Sequence, residues 1–383
     1  MPVTLLAGAD APAVAGPALR RAAPALLLFA AVRLLGVAVL ELWHPAEEKA
    51  AAHLLSERWD SVWYTSIAEH GYGRTVRLED GGIHSDLAFF PLLPGLERLV
   101  SAVSPLSAAG AGLLISAVAS LAAAWGLFAV GDLLYGRRAG VLLAVLWAAV
   151  PVGIVQSMAY TESLFTAFAV WAVRALLTGR WVTAGALSAL AGLTRPAGLA
   201  VAAAVVVTAV AAVASGRERA DARLAWAVVL APLGWLGYVA WVAVRTGEPL
   251  GYLETQEQWG NGFDGGRAFG AFVLDRLTGP APLAGVGLCA GLALLAWLCV
   301  RGARMGLPLP LLVYGGVMVA LALCGAGYFG SKPRLLLPAF PLLLPAAVAL
   351  ARARPAAAAL TAGGAALGAA LYGAVWLTGS GPP

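Results

Sequence analysis

The sequence predicts an all-α polytopic membrane protein, and three observations support this class. Of the 383 residues, 61% are hydrophobic and 12% charged, whereas charged residues make up about 25% of an ordinary soluble domain. The mean hydropathy is +0.83. Runs such as 22–42, 141–155 and 197–214 are nearly free of charge and approach or exceed the ~20 apolar residues that a spanning helix needs. Continuous apolar runs also exclude a β-barrel, whose strands alternate polar and apolar residues.

About eleven apolar segments are predicted to span the membrane, within one integral membrane domain over residues 1–383. In chain order they cover 22–43, 108–134, 139–157, 161–178, 181–194, 197–214, 224–244, 281–300, 307–326, 335–351 and 356–377. The first segment is too long for a secretory signal and retains Arg33. It also lacks a small-residue cleavage site, so it is predicted as a retained helix.

Arginines in the short connections predict the orientation. Six connections that carry arginine fall on one side of the predicted topology, and the positive-inside rule makes that side the cytoplasm, together with the N-terminus. They contain Arg20 and Arg21, Arg137 and Arg138, Arg180, residues 216–223, Arg301 and Arg304, and Arg352 and Arg354. The net charge of +5 therefore reflects helix ends and predicts no nucleic-acid partner. The Ala-, Gly- and Arg-rich, Lys-poor composition favours a bacterial plasma membrane.

Two long polar segments, 44–107 and 246–280, fall on the opposite, extracytoplasmic side. Apolar residues in 47–69 recur at mostly helical spacing, which predicts one or two amphipathic helices at the membrane interface. Residues 250–259 read as a further short helix that ends before Gly-Asn-Gly. We therefore expect the polar chemistry on this side.

The block 58–72 is the densest group of aromatic, acidic and basic residues in the chain. Such side chains are costly in hydrocarbon, so the block indicates a surface or a cavity. Asp60 lies between Trp59 and Ser61, with Trp63 and Tyr64 on the next turn. Its carboxylate can act as a general base towards a hydroxyl nucleophile. The alternative is that Asp60 caps an interfacial helix, because Asp is a favoured N-cap residue.

All four histidines fall in the first polar segment, at positions 44, 53, 70 and 84. His70 is a candidate acid, base or ligand. The separations of 9, 17 and 14 residues match no compact metal-ligand motif, so the sequence predicts neither a metal site nor another cofactor. The three cysteines lie in apolar runs, so they indicate neither a metal site nor a disulfide framework.

Four further charged residues are candidates for the site, and three of them have a structural alternative. Glu162 opens the predicted fourth span, where the helix dipole favours an acidic cap, yet it faces the same layer as Asp60. Arg195, Lys332 and Arg334 break the positive-inside pattern, and an anionic headgroup or phosphate would suit them. For Lys332 and Arg334, the alternative is snorkelling to lipid headgroups.

Taken together, these motifs resemble the PIG-V-like mannosyltransferases, the second-mannose enzymes of GPI-anchor synthesis, and their bacterial relatives. Trp-Asp-Ser-Val-Trp-Tyr at 59–64 and Ile-Ala-Glu-His-Gly-Tyr at 67–72 are similar to the first lumenal loop of that family. Its later motifs have counterparts, in order, at 88–92 with Pro94, 160–165, 194–199 and 333–342, and Gln256, Trp259 and Gly260 are similar to a stretch of bacterial members.

The resemblance implies a GT-C fold, an outer-facing active site and a polyprenyl-phosphate sugar as donor. It carries the role of catalytic base over to Asp60. We expect the sugar pocket to include Trp59, Trp63, Tyr64, His70, Tyr72, Glu162, Gln256 and Trp259. We expect the donor phosphate to bind Arg195, Lys332 and Arg334.

The predicted function is therefore an inverting glycosyltransferase that moves mannose to a lipid, glycan or protein acceptor. One alternative is a transporter or flippase of lipids or lipid-linked sugars. Against it, the charged residues gather at the outer surface, whereas transporter sites lie near the midplane. The other alternative is a non-catalytic membrane scaffold.

Overall fold

The computed structural model describes residues 15–43, 51–77, 82–379 and 381, and α-helices make up most of them. The helices are α1 Ala15–Trp43, α2 Ala51–Ser56, α3 Asp60–His70, α4 Leu92–Val103, α5 Ala108–Tyr135, α6 Arg137–Ala148, α7 Thr161–Leu177, α8 Trp181–Gly192, α9 Gly198–Ala214, α10 Ala222–Thr246, α11 Gly251–Gln258, α12 Arg267–Thr278, α13 Pro282–Arg304, α14 Leu309–Cys324, α15 Lys332–Leu336, α16 Leu344–Arg352 and α17 Pro355–Leu377. Short 3₁₀ turns cover Asp86–Ala88, Pro151–Ser157, Phe329–Ser331 and Phe340–Leu343.

Each of the eleven predicted segments coincides with a helix or with a bent pair of helices. How many of these helices cross the membrane is a separate question from where the helices lie. Five of the described helices are long and apolar enough to cross a membrane, or up to seven if each of two bent pairs is one span. The multi-pass class is thus confirmed, while the count of eleven is not.

The predicted span 139–157 is bent by 86° where α6 gives way to the 3₁₀ turn Pro151–Ser157. Pro151 lacks an N–H group and cannot continue the helix. The carbonyls freed at the break receive side-chain donors instead: Arg33 of α1 donates to Ala148 and Gly153, and Gln156 donates to the Trp147 carbonyl at 2.6 Å. Arg33 is therefore a structural arginine within the apolar bundle.

A second bend of 75° separates residues Phe329–Leu336 from Phe340–Arg352. The two bends are joined, because the indole of the buried Trp147 donates to the Leu337 carbonyl at 3.0 Å. This bond fixes the segment that carries α15 relative to the turn that leads into α7.

Small residues let two helices of the core approach each other closely. A Cβ atom on Gly131 of α5 would lie 2.6 Å from the Cα atom of Gly140 on α6. Glycine at both positions therefore permits a close approach of the two helices, as is common in membrane bundles. The buried α7 runs from this core to the end of the bundle where the polar segments lie.

The polar segments fold onto one end of the bundle, which we call the loop end. Helices α2, α3 and α11 confirm the helices predicted for 47–69 and 250–259, and His44 lies outside the described residues. The structure adds elements that the sequence did not indicate: α4, α12 and a two-stranded antiparallel hairpin, β1 Thr75–Arg77 and β2 Ile83–Ser85.

Glu97 of α4 is fully buried, and neither of its carboxyl oxygens has a hydrogen-bond partner among the described residues. It faces Gly112, where an added Cβ would lie 2.5 Å from its Oε1 atom. Burial, with a smaller effect of the charge on Glu69, raises the pKa of Glu97 to about 9. Loss of hydration disfavours the charged form, so this side chain is neutral at neutral pH.

We expect the free energy of unfolding to fall as the pH rises from 4.5 to about 9. Over this range the folded protein keeps a proton on Glu97 that the unfolded chain releases. Stability therefore declines by at most about 1.4 kcal/mol per pH unit from this group. Thermal unfolding in detergent across this range measures the slope. Glu97→Gln should flatten it, whereas the control Glu254→Gln, at an exposed position of α11, should not. An equal slope in all three proteins would contradict the assignment.

Candidate active site

Four charged side chains from distant parts of the chain meet at the loop end. The Nη1 atom of Arg334 lies 2.8 Å from Oδ2 of Asp60, and its Nε atom lies 3.4 Å from Oε1 of Glu162. The same Glu162 oxygen lies 2.9 Å from Nη1 of Arg195. Asp60, Arg334, Glu162 and Arg195 thus form a continuous chain of ion pairs, which we call the ion-pair cluster.

The cluster is electrically balanced but unevenly buried. The Glu162 side chain is 2% exposed, those of Arg195 and Arg334 are 11% and 12% exposed, and that of Asp60 is 27% exposed. A buried carboxylate is costly unless it is paired, and the two guanidinium groups beside Glu162 meet that need. Asp60 is consequently the carboxylate that a substrate can reach.

Neither Asp60 nor Glu162 is an N-cap residue, although Glu162 keeps the first-turn position of α7 that the helix dipole favours. Asp60 is the first residue of α3, whose N-cap is Trp59, and no side-chain cap bond closes that helix end. Likewise, Tyr160 is the N-cap of α7 and makes no side-chain cap bond. The carboxylates of Asp60 and Glu162 point to guanidinium groups instead.

Asp60 directly follows Trp59, whose backbone conformation is one that glycine normally adopts. Trp59 has φ 52° and ψ −121°, values of the first central position of a type II′ turn. The Ser61 N–H donates to the Arg58 carbonyl at 3.3 Å and closes the turn. The Arg58 guanidinium lies 4.0 Å from the centre of the Trp59 ring and donates to the Leu377 carbonyl at 2.6 Å. The end of α17 thereby helps to fix the direction of Asp60.

Two tyrosines surround the cluster. The Asp60 backbone N–H donates to the Tyr160 hydroxyl at 3.3 Å, and the Arg334 guanidinium lies 5.1 Å from the centre of the Tyr160 ring. The Tyr64 hydroxyl lies 3.4 Å from that of Thr161. Burial raises the pKa of Tyr64, and the charge of Asp60 adds to the effect. Tyr64 therefore remains a protonated hydroxyl beside the cluster.

Gln256 and Trp259 join the two polar segments to each other. The Gln256 amide donates to the Ala88 carbonyl at 3.1 Å, and the Trp259 indole donates to the Ser85 carbonyl at 2.9 Å. The Trp259 ring also lies 5.1 Å from that of Trp63. These contacts hold the two polar segments together. The side-chain amide of Gln256 and the indole N–H of Trp259 therefore already have hydrogen-bond partners within the protein.

Three other predicted site residues make their hydrogen bonds to backbone carbonyls and not to the ion-pair cluster. The Tyr72 hydroxyl donates to the Phe89 carbonyl at 2.8 Å. His70 is exposed, and its nearest polar contact is the Ser66 carbonyl at 3.3 Å. Lys332 is 3% exposed, and its Nζ atom donates to the carbonyls of residues 322 and 325, both at 2.8 Å. Lys332 thus neutralises the carbonyl end of α14.

The remaining histidines do not converge either. His53 lies 2.7 Å from Glu57, and the His84 ring stacks on Trp259 with centres 4.0 Å apart. Among the described residues, no group of three or more His, Cys, Asp or Glu side chains could hold a metal ion.

Sequence reasoning missed Arg58, Ser61 and Tyr160 as parts of this site. Ser61 and Tyr160 adjoin predicted site residues, so their positions carried a weak signal. No signal in the sequence connected Arg58 to the end of α17, because that contact depends on packing.

The fold defines the class of the protein as a multi-pass membrane protein of the GT-C fold. ArnT from Cupriavidus metallidurans, in its crystal structure with undecaprenyl phosphate, superposes with a TM-score of 0.55 and 17% identity, over 86% of this chain and 60% of ArnT. The oligosaccharyltransferase of Archaeoglobus fulgidus, in complex with zinc and sulfate, superposes with a TM-score of 0.53 and 15% identity, over 93% of this chain and 53% of that chain. This chain thus spans a little over half the length of either protein.

The family follows from the sequence itself. The mannosyltransferase (PIG-V) family profile matches residues 37–234, which is half of the chain. The chain belongs to the PIG-V mannosyltransferase family, as the resemblance indicated. The match includes Asp60, Glu162 and Arg195, whereas Arg334 lies beyond it. Comparison with curated proteins gave no match.

Proposed function

We propose that this protein is an inverting mannosyltransferase that uses a polyprenyl-phosphate mannose donor on the extracytoplasmic side of the membrane. The observation that carries the proposal is the 2.8 Å contact between Asp60, the accessible carboxylate, and Arg334. Transfer from a lipid phosphate to a hydroxyl requires a base for the attacking hydroxyl and a cation for the leaving phosphate, and this pair offers both groups. The single domain over 1–383 would hold both substrates.

The reaction follows from the charges. Asp60 accepts the proton of the acceptor hydroxyl while the hydroxyl oxygen attacks the anomeric carbon of the donor sugar. The bond from that carbon to the phosphate oxygen breaks, and the configuration inverts. The departing polyprenyl phosphate gains negative charge, which Arg334 stabilises electrostatically.

Arg195 plays an indirect part in this proposal. Its guanidinium pairs with Glu162, and Glu162 in turn lies beside Arg334. Glu162 and Arg195 therefore orient Arg334 towards the phosphate. Lys332, which is buried against backbone carbonyls, stabilises the segment that carries Arg334.

The lipid-linked donor is supported by analogy with the structural neighbours. ArnT was crystallised with undecaprenyl phosphate, and the archaeal oligosaccharyltransferase AglB was solved with a dolichol-phosphate and an inhibitory peptide. Because this chain shares the fold at low identity, a polyprenyl phosphate is the donor carrier that we propose. The acceptor is a hydroxyl of a lipid, glycan or protein.

The proposal is tested by incubating the purified protein with radiolabelled polyprenyl-phosphate mannose and membrane extract. We expect label to move from the donor to an extract component that mass spectrometry then identifies. Heat-inactivated protein is the control for spontaneous breakdown of the donor. If no polyprenyl-phosphate sugar yields a labelled product, the transporter and scaffold alternatives are favoured instead.

A further inference from the structure

An apolar groove lies between α1, α6 and α17, on the half of the bundle away from the loop end. Its volume is about 480 Å³. The lining includes Leu28 and Leu35, which are 48% and 36% exposed, and the buried Ala358 and Ala362. A Cβ atom added at Gly363, which also lines the groove, would meet no atom of the described residues within 4 Å. The groove is therefore open and can take a hydrocarbon group from outside the protein.

One end of the groove is positively charged. Among the described residues that line it, Arg138 alone is charged. The Arg138 Nη2 atom donates to the Ala353 carbonyl at 2.8 Å. A guanidinium has five N–H donors, so this bond orients the side chain and leaves further donors for a ligand. Arg137 precedes Arg138 in the chain, Arg354 follows Ala353, and both are exposed.

Two helices begin at the same end of the groove. Helix α6 starts directly before Arg138, and α17 starts at Pro355, which lines the groove. Among the described residues, no side chain caps either helix start. The first N–H groups of a helix have no partner within it, and the helix dipole places positive charge there. Both helix starts therefore add to the attraction that Arg138 exerts on an anion such as a phosphate.

A second apolar groove, between α9 and α10, provides a contrast. Its volume is about 760 Å³, and the one charged residue among the described residues that line it is Asp221. The Asp221 carboxylate caps α10 and lies 2.7 Å from the Arg223 guanidinium. The larger groove thus offers no lining cation to a negatively charged headgroup. Charge, and not volume, distinguishes the groove at Arg138.

We propose that the groove at Arg138 binds an anionic phospholipid, with one acyl chain in the groove and the phosphate on Arg138. The lining on α17 runs from Pro355 to Ala366, about 16 Å at 1.5 Å per residue. This is roughly half of the ~30 Å hydrocarbon core, the reach of a phospholipid chain that enters from one surface, whereas a polyprenyl chain is far longer. Basic pockets between membrane helices suit anionic headgroups. The site is remote from the ion-pair cluster, so the inference goes beyond the proposed function and does not depend on it.

The test incubates the delipidated protein in detergent with phosphatidylglycerol, which is anionic, or phosphatidylcholine, which has no net charge. Native mass spectrometry then counts the lipids that each chain retains. We expect one phosphatidylglycerol per chain, bound at least about fivefold more tightly than phosphatidylcholine. Arg138→Gln keeps an N–H donor for the Ala353 carbonyl but loses the charge. It should weaken phosphatidylglycerol about fivefold, the contribution of one arginine at a lipid surface, and leave phosphatidylcholine unchanged.

A second pair of variants tests the hydrocarbon part of the groove. Gly363→Leu places a side chain in the open space and should weaken both lipids about tenfold or more, by excluding the acyl chain. Gly364→Leu is the matched control, because an added Cβ there also meets no atom of the described residues within 4 Å and the residue does not line the groove. Leucine favours a helix more than glycine does, so neither variant should melt below the unmodified protein.

Three results would overturn the proposal. The first is equal retention of the two lipids by the unmodified protein, and the second is equal retention by Gly363→Leu and Gly364→Leu. The third is another occupant of the groove. Displacement of phosphatidylglycerol by an equal concentration of undecaprenyl phosphate would assign the groove to the carrier lipid. A dimer that Gly363→Leu dissociates and Gly364→Leu does not would assign it to a second copy of the chain.

Discussion

Replacing Asp60 by asparagine is expected to abolish sugar transfer, lowering kcat by about 10²–10⁴-fold, the usual contribution of a general base. Asparagine has nearly the same shape but cannot accept the proton of the acceptor hydroxyl. Initial rates of transfer from polyprenyl-phosphate mannose measure the effect. Donor binding should persist, because Arg334 keeps its positive charge.

The fold should survive this substitution. Removing one partner of a buried ion pair leaves an uncompensated charge and costs about 3–5 kcal/mol. Here Arg334 retains Glu162 as a second partner at 3.4 Å, and Asp60 is 27% exposed, so we expect a smaller loss. The matched control is Asp132→Asn, which breaks the ion pair with Arg21 at 2.7 Å far from the site and should leave transfer unchanged. Near-normal turnover of Asp60→Asn would show that Asp60 is not the catalytic base.

Replacing Arg334 by alanine is expected to lower kcat/KM by about 10²–10³-fold, the range measured when a group that stabilises developing charge is removed. The leaving phosphate loses the cation beside it. At the same time, Asp60 and Glu162 lose their shared partner, so the free energy of unfolding should fall by about 3–5 kcal/mol. Steady-state kinetics and thermal unfolding in detergent measure the two effects separately.

Arg334→Lys separates the effect of the positive charge from the effect of the guanidinium geometry. Lysine keeps a positive charge, which limits the loss of stability, but it cannot contact both carboxylates with the fixed fork of a guanidinium. We therefore expect an intermediate rate. Arg21→Ala is the matched control, since Arg21 pairs with Asp132 at the opposite end of the bundle. Unchanged kinetics of Arg334→Ala would contradict a role of Arg334 at the leaving phosphate and leave it only the structural role of pairing Asp60 and Glu162.

Neighbouring residues show how far sequence reasoning about the site could go. Lys332 and Arg334 are two positions apart and looked equivalent as outward cations. In the structure, Lys332 points back to the carbonyl end of α14, whereas Arg334 points to Asp60. Residues two apart on a helical turn face different directions, and the packing around α15 decides which direction reaches the cluster.

Arg195 and Gln256 show the same limit. An arginine in an apolar setting needs a partner, and the sequence suggested a ligand phosphate; the fold supplies Glu162 at 2.9 Å. Gln256 looked like a pocket residue because of its motif, yet its amide holds the Ala88 carbonyl. In both cases the polar group is satisfied by a part of the chain that is distant in sequence.

The sequence by itself determined the class, the helix positions and the family. Long apolar runs must form helices in a membrane, because only a helix satisfies its own backbone hydrogen bonds there, and the ordered motifs identified the PIG-V family. Only the tertiary structure decided which charges meet at the site. A buried carboxylate is stable only beside a cation, and the packing of α3, α7 and α15 brings Asp60, Glu162 and Arg334 within ion-pair distance.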